Sequence, residues 1–320
     1  MSNIQTQKDS KLFTFIDNNA IQSERITAPR YSYWASVFRV FFRKKINIVL
    51  LIVFVLIIAG SFIIPIFAPY APYENVTDAK TYNLSPAAAM SYFGGFSFKW
   101  IFGTGGQGNS IFYGIVSSAR TSLMLAVICA AINMTIGIIL GAVWGYSKKF
   151  DAVMLVVYNI IANVPYILLI SVLVYIIGSG FWPFVFALTV TGWLGIAYFF
   201  RTQVLIIRDR EYSLASRCLG TPIPRMISKN ILPFLTSVIV TLLATELPSY
   251  ISMEVFLSYI GVGLSADVPS LGRMIQEAQS AFITYPWEFW PPVAIASAIT
   301  IILYVLGQNL ADASDPRTHM

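Results

Sequence analysis

Long stretches without a charged residue recur along this chain of 320 residues. A membrane core about 30 Å thick is crossed by roughly 20 apolar residues in an α-helix, so each stretch predicts a membrane-spanning helix. The uncharged stretch 152–200 has room for two helices, and Gly178, Gly180 and Pro183 favour a turn between them. The pattern therefore predicts an all-α integral membrane protein with six spans, at about 46–68, 121–147, 153–176, 184–203, 233–251 and 289–311.

The connections between these spans divide the chain into segments. We expect an N-terminal segment at 1–45, a first span at 46–68, an external segment at 69–120, a core of five spans at 121–311 and a tail at 312–320. The core includes two long connections, one at 201–233 and an external one at 253–288. Because the number of spans is even, both termini should lie on the same side of the membrane.

The lysines and arginines are distributed unequally between the two sides. Seventeen of the 21 fall in 1–45, 147–151, 201–229 and the tail, which alternate with the other connections. Basic residues accumulate in the cytoplasmic connections of membrane proteins, so both termini and the connection 201–229 are expected in the cytoplasm. The formal charge of +6 is then explained by the anionic headgroups of the lipid bilayer, and nucleic acid is not an expected partner.

The composition provides few residues of the kinds that carry out catalysis. The chain is 57% hydrophobic and 11% charged, against roughly 25% charged in a soluble domain. It has one histidine, and its two cysteines, Cys129 and Cys218, lie in a span and in a charged loop, so neither a disulfide nor a zinc site is expected. The nucleotide-binding motif G-x-x-x-x-G-K-[ST] does not occur in the sequence. We expect a non-catalytic chain without a cofactor or metal of its own.

The connection 201–229 has the pattern of a compact element outside the membrane. It predicts a helix that ends at Gly220, where a glycine can take the positive φ of a helix C-terminus at little cost. Thr221 then offers an N-cap and Pro222 a first helical residue for a second short helix. Two interpretations stay open at this point, a docking surface for a partner protein and an ordinary interfacial loop.

Glu246 is the only ionisable residue well inside a predicted span. A charge at the centre of a membrane costs roughly 3 kcal/mol on insertion scales, so such a residue suggests a function. Pro248 should kink or end the helix there and so offer the carboxylate water or a polar partner. A place on a translocation path and a buried structural role are equally compatible with the sequence. Glu254 is expected at the external edge, with a packing or capping role.

The connection 201–229 and the residues after it resemble the EAA loop of ABC importer permeases. The match runs from Glu211 to Gly220 and continues in Ile231, Leu232 and Pro233. In that family the loop couples the spans to a cytosolic ATPase. The resemblance therefore implies a coupling role for Glu211, Leu214, Ala215, Ser216, Arg217, Gly220, Leu232 and Pro233.

Further motifs extend the resemblance over nearly the whole chain, and they narrow it to the oligopeptide/dipeptide permease C family. Residues 43–45 and 66–70, on either side of the first span, resemble its N-terminal signature, and 309–317 resembles its C-terminal one. The lead-in 31–34 and the tail are most similar to permeases of Gram-positive oligopeptide importers. An external motif is implied for Gly103, Thr104, Gly108, Glu254, Ser258 and Gly261.

The sequence also departs from the family pattern at several positions. Gly105, Asn109 and Ser110 stand where the family usually has an acidic residue and an Arg-Asp pair. In the EAA loop, Leu214 and Ser216 stand where the general consensus has glutamate and alanine, and Asn230 stands where it often has isoleucine. The glycine and the proline that anchor the loop remain.

The resemblance implies a permease subunit in a bacterial plasma membrane, with the type I fold of ABC importer permeases. The implied partners are a homologous permease subunit, two ABC ATPases that bind ATP and Mg²⁺, an external substrate-binding lipoprotein and a peptide substrate. Close relatives handle dipeptides, nickel or other small solutes, which are alternative substrates. A secondary transporter is the main alternative class, but the sequence shows no convincing internal repeat of the kind common in that class.

Overall fold

The structure is a computed structural model that describes residues 32–70 and 78–315. Most of the predicted N-terminal segment 1–45 and of the tail 312–320 lies outside the described residues, and so do residues 71–77 of the external segment. Helices account for most of the described residues, among which the extended pairing is one antiparallel bridge between Thr104 and Ser110. The all-α prediction is confirmed for this part of the chain.

The helices follow one another with short connections. The first six are α1 (Tyr33–Arg43), α2 (Lys45–Phe67), α3 (Pro86–Tyr92), α4 (Ile111–Tyr146), α5 (Lys148–Ala162) and α6 (Tyr166–Ile177). The others are α7 (Phe181–Thr189), α8 (Trp193–Arg208), α9 (Glu211–Cys218), α10 (Ile223–Arg225), α11 (Thr236–Tyr259), α12 (Leu271–Glu277) and α13 (Pro286–Ser314). Between α10 and α11 the chain passes through a π-helical turn, Met226–Ile231, and a 3₁₀ turn, Leu232–Leu235.

The described residues form five or six membrane crossings. Helical stretches long and apolar enough to cross are Lys45–Phe67, Ile111–Tyr146, Phe181–Arg208, Ile223–Tyr259 and Pro286–Ser314. Helices α5 and α6, which meet at a bend of 79°, make the predicted sixth crossing if they count as one span. A continuous helix at 153–176 is a wrong prediction, because Pro165 lacks an N–H group and disfavours a helical conformation in the residue before it.

Two predicted helix boundaries need correction. Helix α4 begins at Ile111 and not near residue 121, because Ser110 caps its N-terminus and Arg120 is carried inside the helix. Helix α11 continues through Pro248 to Tyr259, although an end near residue 251 was predicted. A proline removes one hydrogen bond of the helix ladder, and the turns on both sides of Pro248 remain helical. Both helices therefore extend into segments that were predicted to be external connections.

Helices α4 and α8 lie close together because α4 presents glycines to α8 on successive turns, at Gly137, Gly141 and Gly145. A Cβ atom added at Gly141 would lie 2.6 Å from the carbonyl oxygen of Ala197, which is closer than real Cβ atoms approach. Apolar surface alone drives little association between helices in a membrane, so small residues that allow close backbone packing are a main source of it. We call the pair of α4 and α8 the scaffold.

The start of the described chain packs against its end. Val37 and Phe41 of α1 share a buried cluster with Leu306 of α13. The Lys44 ammonium group donates a hydrogen bond to Asn309 Oδ1 over 2.7 Å. The N-terminal and C-terminal family signatures are therefore in contact.

Gly141→Ala should destabilise the protein, because the added methyl group would overlap the Ala197 carbonyl and push α4 away from α8. Overpacking of this kind costs about 1–3 kcal/mol. The matched control is Gly195→Ala in α8, where an added Cβ would meet no atom within 4 Å. We expect a lower melting temperature in detergent for Gly141→Ala only, and equal melting temperatures for the two variants would contradict the close packing.

Candidate coupling and translocation sites

The predicted coupling loop contains a helix that is closed by a glycine turn. Helix α9 ends at Cys218, and Gly220 follows with a φ of +75°. The Gly220 amide donates to the Arg217 carbonyl over 3.0 Å, and the Thr221 amide donates to the Ser216 carbonyl over 3.3 Å. These two bonds define a Schellman motif. The positive φ predicted for Gly220 is confirmed.

Side chains join the two halves of the loop. The hydroxyl oxygens of Ser216 and Thr221 lie 3.0 Å apart, and Asn230 Nδ2 donates to Ser216 Oγ over 2.8 Å. Thr221 is not the predicted N-cap: its hydroxyl is engaged with Ser216, and Pro222 holds the cap position before Ile223. Ser216 and Asn230, two departures from the family consensus, thus form a bonded pair.

The base of the loop is buried against the scaffold. Three residues from the turns after α10 share one cluster with three scaffold residues, namely Met226, Ile231, Leu235, Ala142, Phe200 and Val204. The Arg217 guanidinium carbon lies 5.3 Å from the ring centroid of Tyr146, the last residue of α4. Because close-packed interiors compress little, a displacement of the loop must move α4 and α8.

Four apolar residues on the outer side of the loop are exposed. Leu214, Ala215, Leu219 and Ile223 form this set, which we call the apolar cap. Leu219 is 87% exposed and Ile223 is 49% exposed. Grouped apolar side chains outside the membrane mark an interaction surface. Of the two interpretations of the connection 201–229, the docking surface is the better supported.

The remaining predicted coupling residues lie at the edges of the same element. Glu211 is in the first turn of α9, where a negative charge interacts favourably with the helix dipole. Leu232 packs against the buried cluster, and Pro233 beside it is exposed in the turn before α11. The eight residues implied by the resemblance therefore share one continuous element between α8 and α11, which we call the coupling element.

A second polar region lies where the fourth crossing is broken. Helix α7 ends at Thr189 and α8 begins at Trp193, so the fourth predicted span is interrupted. The Leu188 carbonyl accepts two side-chain hydrogen bonds, from Asn133 Nδ2 over 3.2 Å and from the Tyr166 hydroxyl over 2.9 Å. Backbone groups freed by a break at membrane depth need such partners, because no lipid atom can supply them.

Glu246 lies next to this region on α11. Asn133 Nδ2 donates to the Tyr250 hydroxyl oxygen over 2.5 Å, and Tyr250 lies one helical turn from Glu246. Asn133 is fully buried, whereas Glu246 is partly exposed. The sequence indicated Glu246 as a candidate, but it did not identify Asn133 and Tyr250 as its polar neighbourhood.

Glu254 is fully buried in the last turns of α11. The Ser122 hydroxyl donates to Oε2 of Glu254 over 2.8 Å, and the Ser258 hydroxyl donates to Oε1 over 3.0 Å. Ser122 Oγ also accepts from the Leu271 amide over 3.2 Å, at the start of α12. The contacts of this carboxylate tie α4, α11 and α12 together, which is a packing role.

Thr104 of the predicted external motif joins two backbone segments by hydrogen bonds. The Thr104 hydroxyl donates to the Thr81 carbonyl over 2.6 Å and accepts from the Leu84 amide over 2.8 Å. Gly103 has a φ of +79°, and a Cβ added there would lie 2.3 Å from the Leu84 carbonyl oxygen. A side chain at position 103 would therefore push the backbone at Leu84 away and disrupt these hydrogen bonds.

Positions without the usual family charges have structural contacts of their own. Asn109 Nδ2 donates to the Tyr70 hydroxyl over 2.7 Å, and Ser110 caps the N-terminus of α4. Gly108 and Gly261 have φ values of +77° and +86°, and they turn the chain before α4 and after α11. These residues thus set the conformation of the connections that precede α4 and follow α11.

Comparison with known families shows which kind of protein this chain is. Residues 133–320, which include most of the scaffold, the coupling element and Glu246, match the family described as binding-protein-dependent transport system inner membrane component. The chain belongs to this family. Residues 32–86 match the N-terminal transmembrane domain of oligopeptide transport permease C. This permease is therefore a multi-pass protein of the bacterial plasma membrane.

Curated relatives match the permease over nearly its whole length. The oligopeptide transport system permease protein AmiD of Streptococcus pneumoniae is 46% identical over 97% of this chain and 98% of its own. The oligopeptide transport system permease protein OppC of Bacillus subtilis is 33% identical over 93% of this chain and 94% of its own. The dipeptide transport system permease protein DppC of Bacillus subtilis is 32% identical over 92% of this chain and 89% of its own.

Gly220→Val should loosen α9 without a steric clash, because no atom lies within 4 Å of a Cβ built at this position. The left-handed conformation costs an L-residue roughly 1–2 kcal/mol, which corresponds to about tenfold faster local opening. Hydrogen–deuterium exchange of residues 211–221 in purified permease measures this opening. Gly220→Asn is the control, since asparagine tolerates the left-handed region. Exchange in Gly220→Val as slow as in the wild type would contradict the glycine turn.

Proposed function

We propose that the chain is the permease subunit of an ABC importer for oligopeptides and forms half of the translocation path. Full-length similarity carries this proposal, since the relative with 46% identity is named as an oligopeptide transport system permease. A relative named as a dipeptide permease is 32% identical, so dipeptides are the second candidate substrate.

The proposed importer contains a homologous permease subunit, two cytosolic ABC ATPases and an external substrate-binding lipoprotein besides this chain. The ATPases bind ATP and Mg²⁺, and this chain contributes no catalytic group. Membership of a binding-protein-dependent transport family supports this composition. It also counts against a secondary transporter, because a binding protein delivers the solute in this family.

The coupling element provides the mechanical link to the ATPases. The apolar cap enters a groove on one ATPase, where full burial of a side chain such as that of Leu219 stabilises the contact by about 1.5–3 kcal/mol. The Schellman turn and the pair of Ser216 and Asn230 keep the element rigid when the ATPases close. Met226 and Ile231 then pass the displacement to the scaffold, and the spans rock between inward-open and outward-open states.

The coupling element and both termini face the cytoplasm in this proposal. The connection 201–229 carries six of the lysines and arginines, which favours the cytoplasmic side. The contact of α1 with the end of α13 supports a common side for the two termini. The external motif and α12 then face outward, where the binding protein delivers the peptide.

Ala215→Asp should separate the permease from its ATPase. An unpaired carboxylate buried in the ATPase groove costs several kcal/mol, which corresponds to at least about a hundredfold loss of affinity. Ala215→Ser is the matched control, because serine is small and uncharged. We expect ATPase co-purification and peptide uptake to fall together in Ala215→Asp at wild-type membrane levels, with both retained in Ala215→Ser. Wild-type values for Ala215→Asp would contradict the coupling assignment.

Uptake of labelled oligopeptides by the source bacterium tests the function itself. Deletion of the chain should abolish uptake of oligopeptides, and a plasmid copy should restore it. Uptake that continues in the deletion strain, or that needs an ion gradient but no ATP, would contradict an ABC importer.

A further inference from the structure

Helix α11 has an open face that differs from a lipid-facing surface. Side chains with hydroxyl groups recur on it about once per turn, at Ser237, Thr241, Thr245, Ser249 and Ser252, and all are at least partly exposed. The exposed side chains of α2 between residues 46 and 67 are, in contrast, all large and apolar. The hydroxyls of Thr241, Thr245 and Ser252 donate to carbonyls of the preceding turn, which leaves their oxygens as acceptors. Small residues with hydroxyl groups are enriched where membrane helices meet, which favours water or protein over lipid against the α11 face.

Cavities open at both ends of this face. Ser237 and Thr241 line one of about 880 Å³ beside α13, and Ser252 lines one of about 460 Å³ beside α12 and α13. Thr245 and Ser249, between the cavities, are exposed. A row of hydroxyl side chains thus runs along α11 from one cavity to the other, beside exposed apolar residues such as Leu243.

Glu246 lies beside the middle of this surface. It is partly exposed, and the ion pairs of the described residues do not include it. The fully buried Asn133 donates to the Tyr250 hydroxyl oxygen, one turn from Glu246 on α11. Asn133 Oδ1 is itself buried without a hydrogen-bond partner among the described residues. Within the described part of the chain, this region therefore combines an unpaired acceptor with a carboxylate that has no ion-pair partner.

We propose that Glu246, with the neighbouring hydroxyls of Thr245 and Ser249, is a subsite for a protonated amine of the peptide in transit. The inference rests on the proposed function, since a peptide carries such a group at its N-terminus and on lysine side chains. An ammonium group supplies three donors and the positive charge that this region lacks. Tyr250 and Asn133 are positioning residues, because their hydrogen bond fixes the tyrosine one turn from Glu246 on α11 and both side chains are buried.

A cysteine reporter at Ser249 measures the local charge preference without depending on transport. The reporter chain is Ser249→Cys with Cys218→Ser, because Cys218 is exposed and the other cysteine, Cys129, is buried. Cationic and anionic methanethiosulfonate reagents are applied to the assembled importer in membranes, and their rates are divided by those for a free thiol in water. A carboxylate about 6 Å away through water should raise the cation-to-anion ratio about tenfold, and Glu246→Gln should remove that increase.

The matched control is Glu277→Gln. Glu277 is an exposed carboxylate in α12 that pairs with Arg273, so its loss should leave the ratio at the reporter thiol unchanged. A ratio that Glu246→Gln does not change would overturn the proposal. A reporter that reacts with neither reagent would overturn it as well, because the face would then be covered by the partner permease. So would failure of Glu246→Gln to assemble, which would indicate an ion pair with the partner.

Peptide uptake provides the second measurement. Each peptide is compared in two forms, one with lysine and one with uncharged norleucine at the same position, and the uptake by Glu246→Gln is divided by the uptake by the wild type. The binding protein is unchanged, so its own preference cancels. We expect this quotient to be lower for the lysine form, and equal quotients would contradict a role in transit.

Failure of the subsite and failure of the proposed function give different results. If the wild-type importer takes up peptides and the charge preference at the reporter thiol is absent, the subsite is wrong and the importer stands. If the preference is present and no peptide is taken up, the cation subsite stands and the peptide importer is wrong.

Discussion

Three glycines on α4 bring its backbone against that of α8, and both proposed sites are attached to this pair of helices. At one end of the scaffold, Phe200 and Val204 bury the base of the coupling element. Towards the other end, a Cβ added at Gly192 would lie 2.6 Å from Asn133 Nδ2, so the helix break and the polar region depend on the same close approach. A rigid scaffold with a site at each end can carry a motion from the ATPases to the path.

The polar residues inside the membrane serve first as hydrogen-bond donors to a backbone carbonyl that has lost its helical partner. The break between α7 and α8 frees the Leu188 carbonyl, and Asn133 and Tyr166 replace its lost partners. Asn133 also donates to the Tyr250 hydroxyl oxygen, so the residue that satisfies the Leu188 carbonyl also fixes the tyrosine one turn from Glu246. Structural repair of the backbone and solute recognition therefore share residues in this permease.

Helix-forming stretches and the glycine turn could be predicted from the sequence, because membrane thickness and the left-handed conformation act locally. The bend between α5 and α6 was missed because the charge-free stretch concealed the effect of Pro165. Contacts such as Ser216 with Asn230 join positions that are distant in sequence, and only the folded chain brings them together. Asn133 could have been noticed as an amide inside a predicted span, but its partners Leu188 and Tyr250 depend on helix packing.

Photocrosslinking from the apolar cap tests the central claim, that the coupling element contacts an ATPase, most directly. A benzophenone side chain at Leu219 should give an adduct with an ATPase subunit in native membranes, because Leu219 is the most exposed of the three large side chains in the cap. The same side chain at Val156, which is 59% exposed on α5, should give adducts with lipid or the partner permease. A Leu219 probe that yields no ATPase adduct in a transport-competent complex would contradict the account.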